Sequence, residues 1–398
     1  METNLTQWNY GLRSLVVFRR ILEKPVMQAL LSFLEAESAD TPTQIRRYAE
    51  FVGCIYETTD NWSECLLAIV LENENAYIVR HAEGKPIDAY LEECVWQELS
   101  LLERLSLLSA EQLTAGIAYD GFLPRYAVRE VDFRGAYASR IQQLSRCGYG
   151  IFSQYTMFLL RNGEIVPVRC PDEIRLEDLI GYERERGEVI ANTEALLDGM
   201  PAQNALLVGD AGTGKSSTVK AIVNAYSGRG LRLIEITKEQ LRELPQVMDA
   251  ISKNPLKFIL FIDDLSFSSD DDCFGALKAT LEGSVSARAD NVVIYATSNR
   301  RHLIREQFSD REGDDVHRND TIQQLISLSA RFGLKVTFSK PDKKSYLHIV
   351  SELAKQEDVE CDEASLAQRA EAFALAGSGR SPRTAKQFVQ TLKMEGKE

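Results

Sequence analysis

The stretch NALLVGDAGTGKSS, Asn204 to Ser217, constrains the fold of this chain more than any other. An apolar run ends in Gly209-x-x-x-x-Gly214-Lys215-Ser216, and a helical pattern follows. Gly209, Gly212 and Gly214 let the backbone turn tightly, so that successive N–H groups from Asp210, Ala211, Thr213 and Ser217 can point at one anion. The following helix directs its positive end at the same place. Lys215 adds a point charge for outer phosphates, and the Ser216 hydroxyl suits Mg²⁺. Strand, glycine loop and helix together predict a phosphate cradle on a parallel sheet.

Further apolar, β-branched runs agree. LRLIEI, KFILFID, NVVIYATS and LKVTF recur between helical stretches from about 172 to 340. That alternation predicts βαβ units and a parallel sheet covered on both faces. Upstream, apolar residues at three- and four-residue spacing predict helices from about Asn4 to Gln112. Two apolar runs flank Asn162-Gly163 and predict a hairpin. The pattern after Pro341 is helical. The expected organisation is a helical N-terminal domain ending in that hairpin (1–171), an α/β domain (172–340) and a C-terminal helical lid (341–398).

FILFIDDLSF, Phe258 to Phe267, carries a greasy strand into Asp263 and Asp264. Unpaired carboxylates at the end of a buried strand are costly unless a positive charge meets them. Beside a phosphate cradle that charge is a Mg²⁺ ion, which makes Asp263 and Ser216 the expected metal residues. Asn299 ends the strand of NVVIYATSNRR, where it would orient a water or sense a terminal phosphate. Arg331, in SLSARFGL, precedes a strand and would act on a neighbouring subunit's phosphate. Arg383 follows Ser381 and Pro382 at a helix start.

In this order the motifs resemble those of AAA+ ATPases. LLVGDAGTGKSS, FIDDLSF, LKATLEG, NVVIYATSNRRHLI and LSARFGL are similar in detail to a bacterial AAA+ group known only as domain of unknown function eight-one-five. The resemblance implies binding of ATP and Mg²⁺ and assembly into a homo-oligomeric ring. It implies that Ile180, Gly181 and Tyr182 lie near the base. It casts Asn299 as sensor 1, Arg331 as the arginine finger and Arg383 as the lid's sensor 2. Asp264 departs from the common pattern, in which Glu is the base. Its carboxylate is one methylene shorter, so slow hydrolysis is expected. ITKEQLRELPQVMD, where polypeptide-threading relatives carry an aromatic loop, has no aromatic residue.

Composition narrows the partners. The 46 Lys and Arg against 59 Asp and Glu give a net charge of −13, which disfavours non-specific nucleic-acid or membrane binding. The 7 scattered cysteines form no C-x-x-C pair, which points to reduced thiols and a cytoplasmic setting. No leader is expected at the N-terminus. SSDDDC (268–273) reads as a helix cap rather than a metal site. SDREGDDVHRND (309–320) reads as a solvated loop or an interface. The expectation is an ATP-hydrolysing switch acting on a partner protein chosen by the N-terminal domain. A nucleotide-gated loader on nucleic acid, suggested by Asp-Asp and SNRRH, and a small-molecule kinase are the alternatives.

Overall fold

The computed structural model describes residues 5–265, 273–282, 289–299, 330–359, 361–377 and 379–395. The acidic stretch 309–320, most of SSDDDC and the basic end of SNRRH lie outside these residues. The chain divides into two compact units, Met1–Gln154 and Tyr155–Glu398.

The first unit is helical, as the spacing predicts. Helices Pro25–Leu34, Thr41–Tyr56, Trp62–Glu72 and Ala89–Ser106 enclose one core. Trp62 is its largest buried side chain; the indole Nε1 donates to Leu105 O at 3.1 Å and the ring packs edge-on against Phe51. A buried carboxylate holds the entry to the bundle. Glu98 accepts from the backbone N–H groups of Val16, Val17 and Phe18 at 2.7, 3.1 and 2.9 Å. Three donors on one acid satisfy a charge that would otherwise be costly to bury.

The second unit is built on a seven-stranded sheet in the order β2-β1-β4-β5-β6-β3-β7. The strands are β1 (Met157–Arg161), β2 (Glu164–Pro167), β3 (Ala205–Gly209), β4 (Leu231–Glu235), β5 (Lys257–Ile262), β6 (Val292–Ser298) and β7 (Leu334–Phe338). Every pairing is parallel except β1 with β2. The hairpin forms with Asn162 and Gly163 both at positive φ, 51° and 80°, as a type I′ turn requires. Its place is in the sheet, however. β1 pairs in parallel with β4, so the hairpin extends the α/β unit, and the compact units part before it rather than near Pro171.

Numbering the helices of this unit from its start, α1 (Glu183–Leu197), α2 (Lys215–Tyr226), α3 (Leu244–Ile251) and α4 (Cys273–Glu282) belong to the sheet layer. α5 (Lys343–Gln356), α6 (Glu363–Ala376) and α7 (Pro382–Glu395) form the C-terminal lid around Tyr346, Ile349, Ala370, Ala385 and Phe388. The central strands β3, β5 and β6 are buried throughout except at Lys257, which is why their sequences are nearly continuous apolar runs. Strand order, glycine loop and helical lid make this an AAA+ type P-loop fold. No described helix is long and apolar enough to cross a membrane.

The join between β3 and its loop tolerates no side chain. Gly209 pairs with Phe338 in β7 at φ 149°, and a Cβ placed there would lie 1.9 Å from Phe338 O. Backbone of a neighbouring strand cannot move aside cheaply. Gly209→Ala is expected to destabilise this unit by at least about 2 kcal/mol. Thermal or denaturant unfolding measures it, and an unchanged midpoint would show that the β3–β7 pairing yields freely.

Candidate functional site

The loops that leave β3, β5 and β6 all emerge at the carboxyl ends of adjacent parallel strands, where open α/β sheets place their ligands. They bound a cavity of about 380 Å³. From the glycine loop and α2, residues 211 to 218 line it; β5 contributes Asp263 and Asp264, β6 contributes Thr297 and Asn299, and α7 contributes Arg383.

Lys215 is buried at the first turn of α2, and its Nζ uses three acceptors: Gly209 O at 2.9 Å, Asp210 O at 2.8 Å and Asn299 Oδ1 at 3.0 Å. Burial lowers its pKa below the usual lysine value, and Asp210, Asp263 and Asp264 oppose that shift without cancelling it. Gly209 and Asp210 thus serve the site through their carbonyls, holding Lys215 rather than lining the cavity. The Asp210 carboxylate meets Lys340 N at 3.3 Å.

The two aspartates are not buried, contrary to the expectation. The strand is buried through Ile262, then the chain turns and both acids stand exposed. Their partners are hydroxyls and amides. Asp263 Oδ1 accepts from Ser216 Oγ at 2.6 Å, Thr297 Oγ1 at 2.5 Å and Asp264 N at 3.2 Å. Asp264 N also donates to Thr297 Oγ1 at 2.9 Å, and Asp264 Oδ1 accepts from Asn299 Nδ2 at 2.7 Å. Asn299 therefore bridges Lys215 and Asp264 with its two amide atoms. Asp264 sits in the left-handed region at φ 52°. Asp and Asn occupy that region far more readily than Glu, which gives a backbone reason for Asp at this position.

The opposite wall is apolar. Ile180 and Tyr182 line it beside Phe338, Ile349 and Leu353. Gly181 and Tyr182 are both left-handed, φ 78° and 60°, and a Cβ on Gly181 would press on Ile349 of α5 at 3.2 Å. Tyr182 donates its hydroxyl to Ser339 O at 2.6 Å and its ring lies 5.4 Å from Phe338. Burial pushes the phenol up to about 12, so it stays a neutral donor at ordinary pH. Arg186, from α1, also lines this end, bonded to Gly181 O and 3.5 Å from Glu183.

The lid is docked on the glycine loop. Arg383 N donates to Gly212 O at 3.2 Å, and a Cβ on Gly212 would meet Arg383 Cβ and Ser381 Oγ at 3.1 Å. Ser381 caps α7 through Thr384 N at 3.1 Å. Arg331 stands apart from all of this. It precedes β7, while the cavity lies past the other end of the parallel β3–β7 pair. Five residues of strand separate the two ends by roughly 16 Å.

Thr297, Arg186, Ile349, Leu353 and Lys386 were not anticipated. Only Thr297 left a trace, a hydroxyl at the end of an otherwise apolar strand two residues before Asn299.

The model of the family described as protein of unknown function (DUF815) matches residues 153–396. The chain belongs to that family. No curated protein matches it. Among solved structures it is similar to the Thermotoga maritima RuvB Holliday junction branch migration motor, with 16% identity over 55% of this chain and 63% of that one, and a TM-score of 0.37. A RuvB mutant gives 17% identity, 55% and 64% coverage and a TM-score of 0.38. The chain thus spans less than two thirds of these proteins, and the likeness carries no functional inference.

The left-handed backbone at Asp264 sets a test. Asp264→Asn should leave the unfolding midpoint nearly unchanged, because Asn tolerates φ 52° and can accept from Asn299. Asp264→Glu should cost about 1 kcal/mol, read as a fall in Tm of roughly 2–4 °C. Equal midpoints for both variants would remove the backbone explanation.

Proposed function

We propose that this protein binds ATP with Mg²⁺ and hydrolyses it slowly as a subunit of a homo-oligomer, using the cycle to switch or remodel a partner protein held by the helical N-terminal unit. The observation that carries this reading is the chain Lys215–Asn299–Asp264 on one cavity wall, with Ser216 and Asp263 hydrogen-bonded beside it.

The groups fit a nucleotide. N–H groups of residues 211–217 and the Lys215 ammonium would receive the phosphates, and Ile180, Gly181 and Tyr182 would hold the base against the apolar wall. Ser216 Oγ and Asp263 Oδ1 are hard oxygen donors side by side, the chemistry Mg²⁺ selects, and these two residues would hold the ion. There the ion would supply positive charge against the charge of the phosphates. Asp264 would orient a water and take its proton as the water oxygen bonds to the γ-phosphorus and the bond from that phosphorus to the ADP oxygen breaks, releasing ADP and phosphate. Asn299 holds that carboxylate in place and, through Lys215, ties it to the phosphate end of the cavity.

Asp264 is short and already spends one oxygen on Asn299, which favours slow turnover. Arg331 stands too far from its own cavity to act there, which supports action on a neighbouring subunit. Arg383 would act within its own subunit, because its helix is docked on the glycine loop. No observation among the described residues favours nucleic acid or a small-molecule acceptor over a partner protein.

Mixing variants tests the subunit assignment. Lys215→Ala and Arg331→Ala should each lose ATPase activity by at least about 100-fold. A mixture should recover a measurable fraction, because intact cradles would then meet intact arginines. If both variants are inactive alone and their mixture stays inactive, Arg331 does not act in trans.

A further inference from the structure

α7 brings two cations to the cavity, Arg383 and Lys386, three residues apart and hence on one helix face. Several charges of the surrounding lid pair with one another. Arg380 makes a double contact with Glu371 at 2.8 and 2.7 Å, Lys355 meets Glu352 at 2.7 Å, and Lys393 meets Glu357 at 2.5 Å. Neither Arg383 nor Lys386 has a hydrogen-bonded or ion-paired side-chain partner among the described residues. Glu357 feels the charge of Lys386, but its bonded partner is Lys393. Lys215, the third phosphate-side cation, is held by carbonyls and Asn299. Two lid charges therefore face the cavity with no protein acceptor, next to a loop built to hold an anion.

Their order along the helix separates their roles. Arg383 is at the start of α7, fixed to Gly212 of the glycine loop. Lys386 lies about 4.5 Å further along the axis. Its charge reaches Glu357, at the end of α5 that carries Leu353 and Gln356, and Gln356 donates to Glu177 O at 3.2 Å. A charge placed there is nearer the ribose end of a nucleotide than its terminal phosphate.

We propose that Lys386 is a second nucleotide-binding cation of the lid, engaging the inner phosphates common to nucleoside di- and triphosphates, while Arg383 engages the terminal one. This rests on the nucleotide reading of the cavity. It makes lid attachment depend on both ATP and ADP through Lys386, and on the terminal phosphate through Arg383 alone.

Titration of the full-length protein with fluorescent ATP and ADP analogues, each with Mg²⁺, separates the possibilities. Lys386→Ala should weaken both nucleotides by a similar factor, about three- to tenfold for an exposed charged contact. Lys386→Arg should restore most of the affinity. Arg383→Ala should weaken ATP more than ADP. Circular dichroism with thermal unfolding should show all three variants folded as wild type, since neither side chain is buried. Unchanged affinity in Lys386→Ala would overturn the proposal, as would a loss confined to ATP. If the wild-type protein binds neither nucleotide, the nucleotide reading itself fails, and the assignment of Lys386 with it.

Discussion

Thr297 Oγ1 stands between the two aspartates, giving a hydrogen bond to Asp263 Oδ1 and taking one from Asp264 N. A single hydroxyl on β6 thereby fixes the end of β5, and it can do so only because the two strands run parallel in the register that sets Ile262 beside Ala296. The same β6 pairs on its other side with β3, where Val208 opposes Ser298. The glycine loop, the acids and Asn299 are thus carried on three consecutive strands whose alignment leaves little freedom. Move that alignment by one residue and every side chain changes face.

Much of this was readable beforehand, for physical reasons particular to each element. The central strands β3, β5 and β6 are legible because burial on both faces leaves a nearly unbroken apolar run. The glycine loop was visible because few backbones can wrap a phosphate. What escaped was long-range or conformational. Asn162-Gly163 announces a turn but not the partner of β1, since β4 lies far along the chain. FILFIDDLSF reads as though burial continued into the acids, because a sequence does not mark where a strand leaves the core. Asp264 looked like a kinetic choice, a shorter arm for the same task. Its φ of 52° adds a reason that belongs to the backbone. Arg186 and Lys386 are single charges on helices, indistinguishable from solvated ones until the fold turns them toward a cavity.

The lid shows how electrostatics and packing share one task. Its core of Tyr346, Ile349, Ala370 and Phe388 takes Ile180 from outside the lid as a packed neighbour, and several of its surface charges pair locally. Arg383 and Lys386, which lack such a partner among the described residues, sit on the face of α7 toward the cavity. Near them, Gly181 admits Ile349 at a distance no side chain would allow comfortably, and Tyr182 reaches across to Ser339. The lid, the segment 180–182 and β7 are therefore joined by short contacts of different kinds.

One of those contacts is made by an atom no ordinary substitution removes. The bond from Arg383 to Gly212 comes from the backbone N–H, not the guanidinium. Any residue but proline could supply it. The attachment of the lid and the charge it presents are written in separate atoms of one residue, so a descendant could discard the arginine's charge and still inherit the joint.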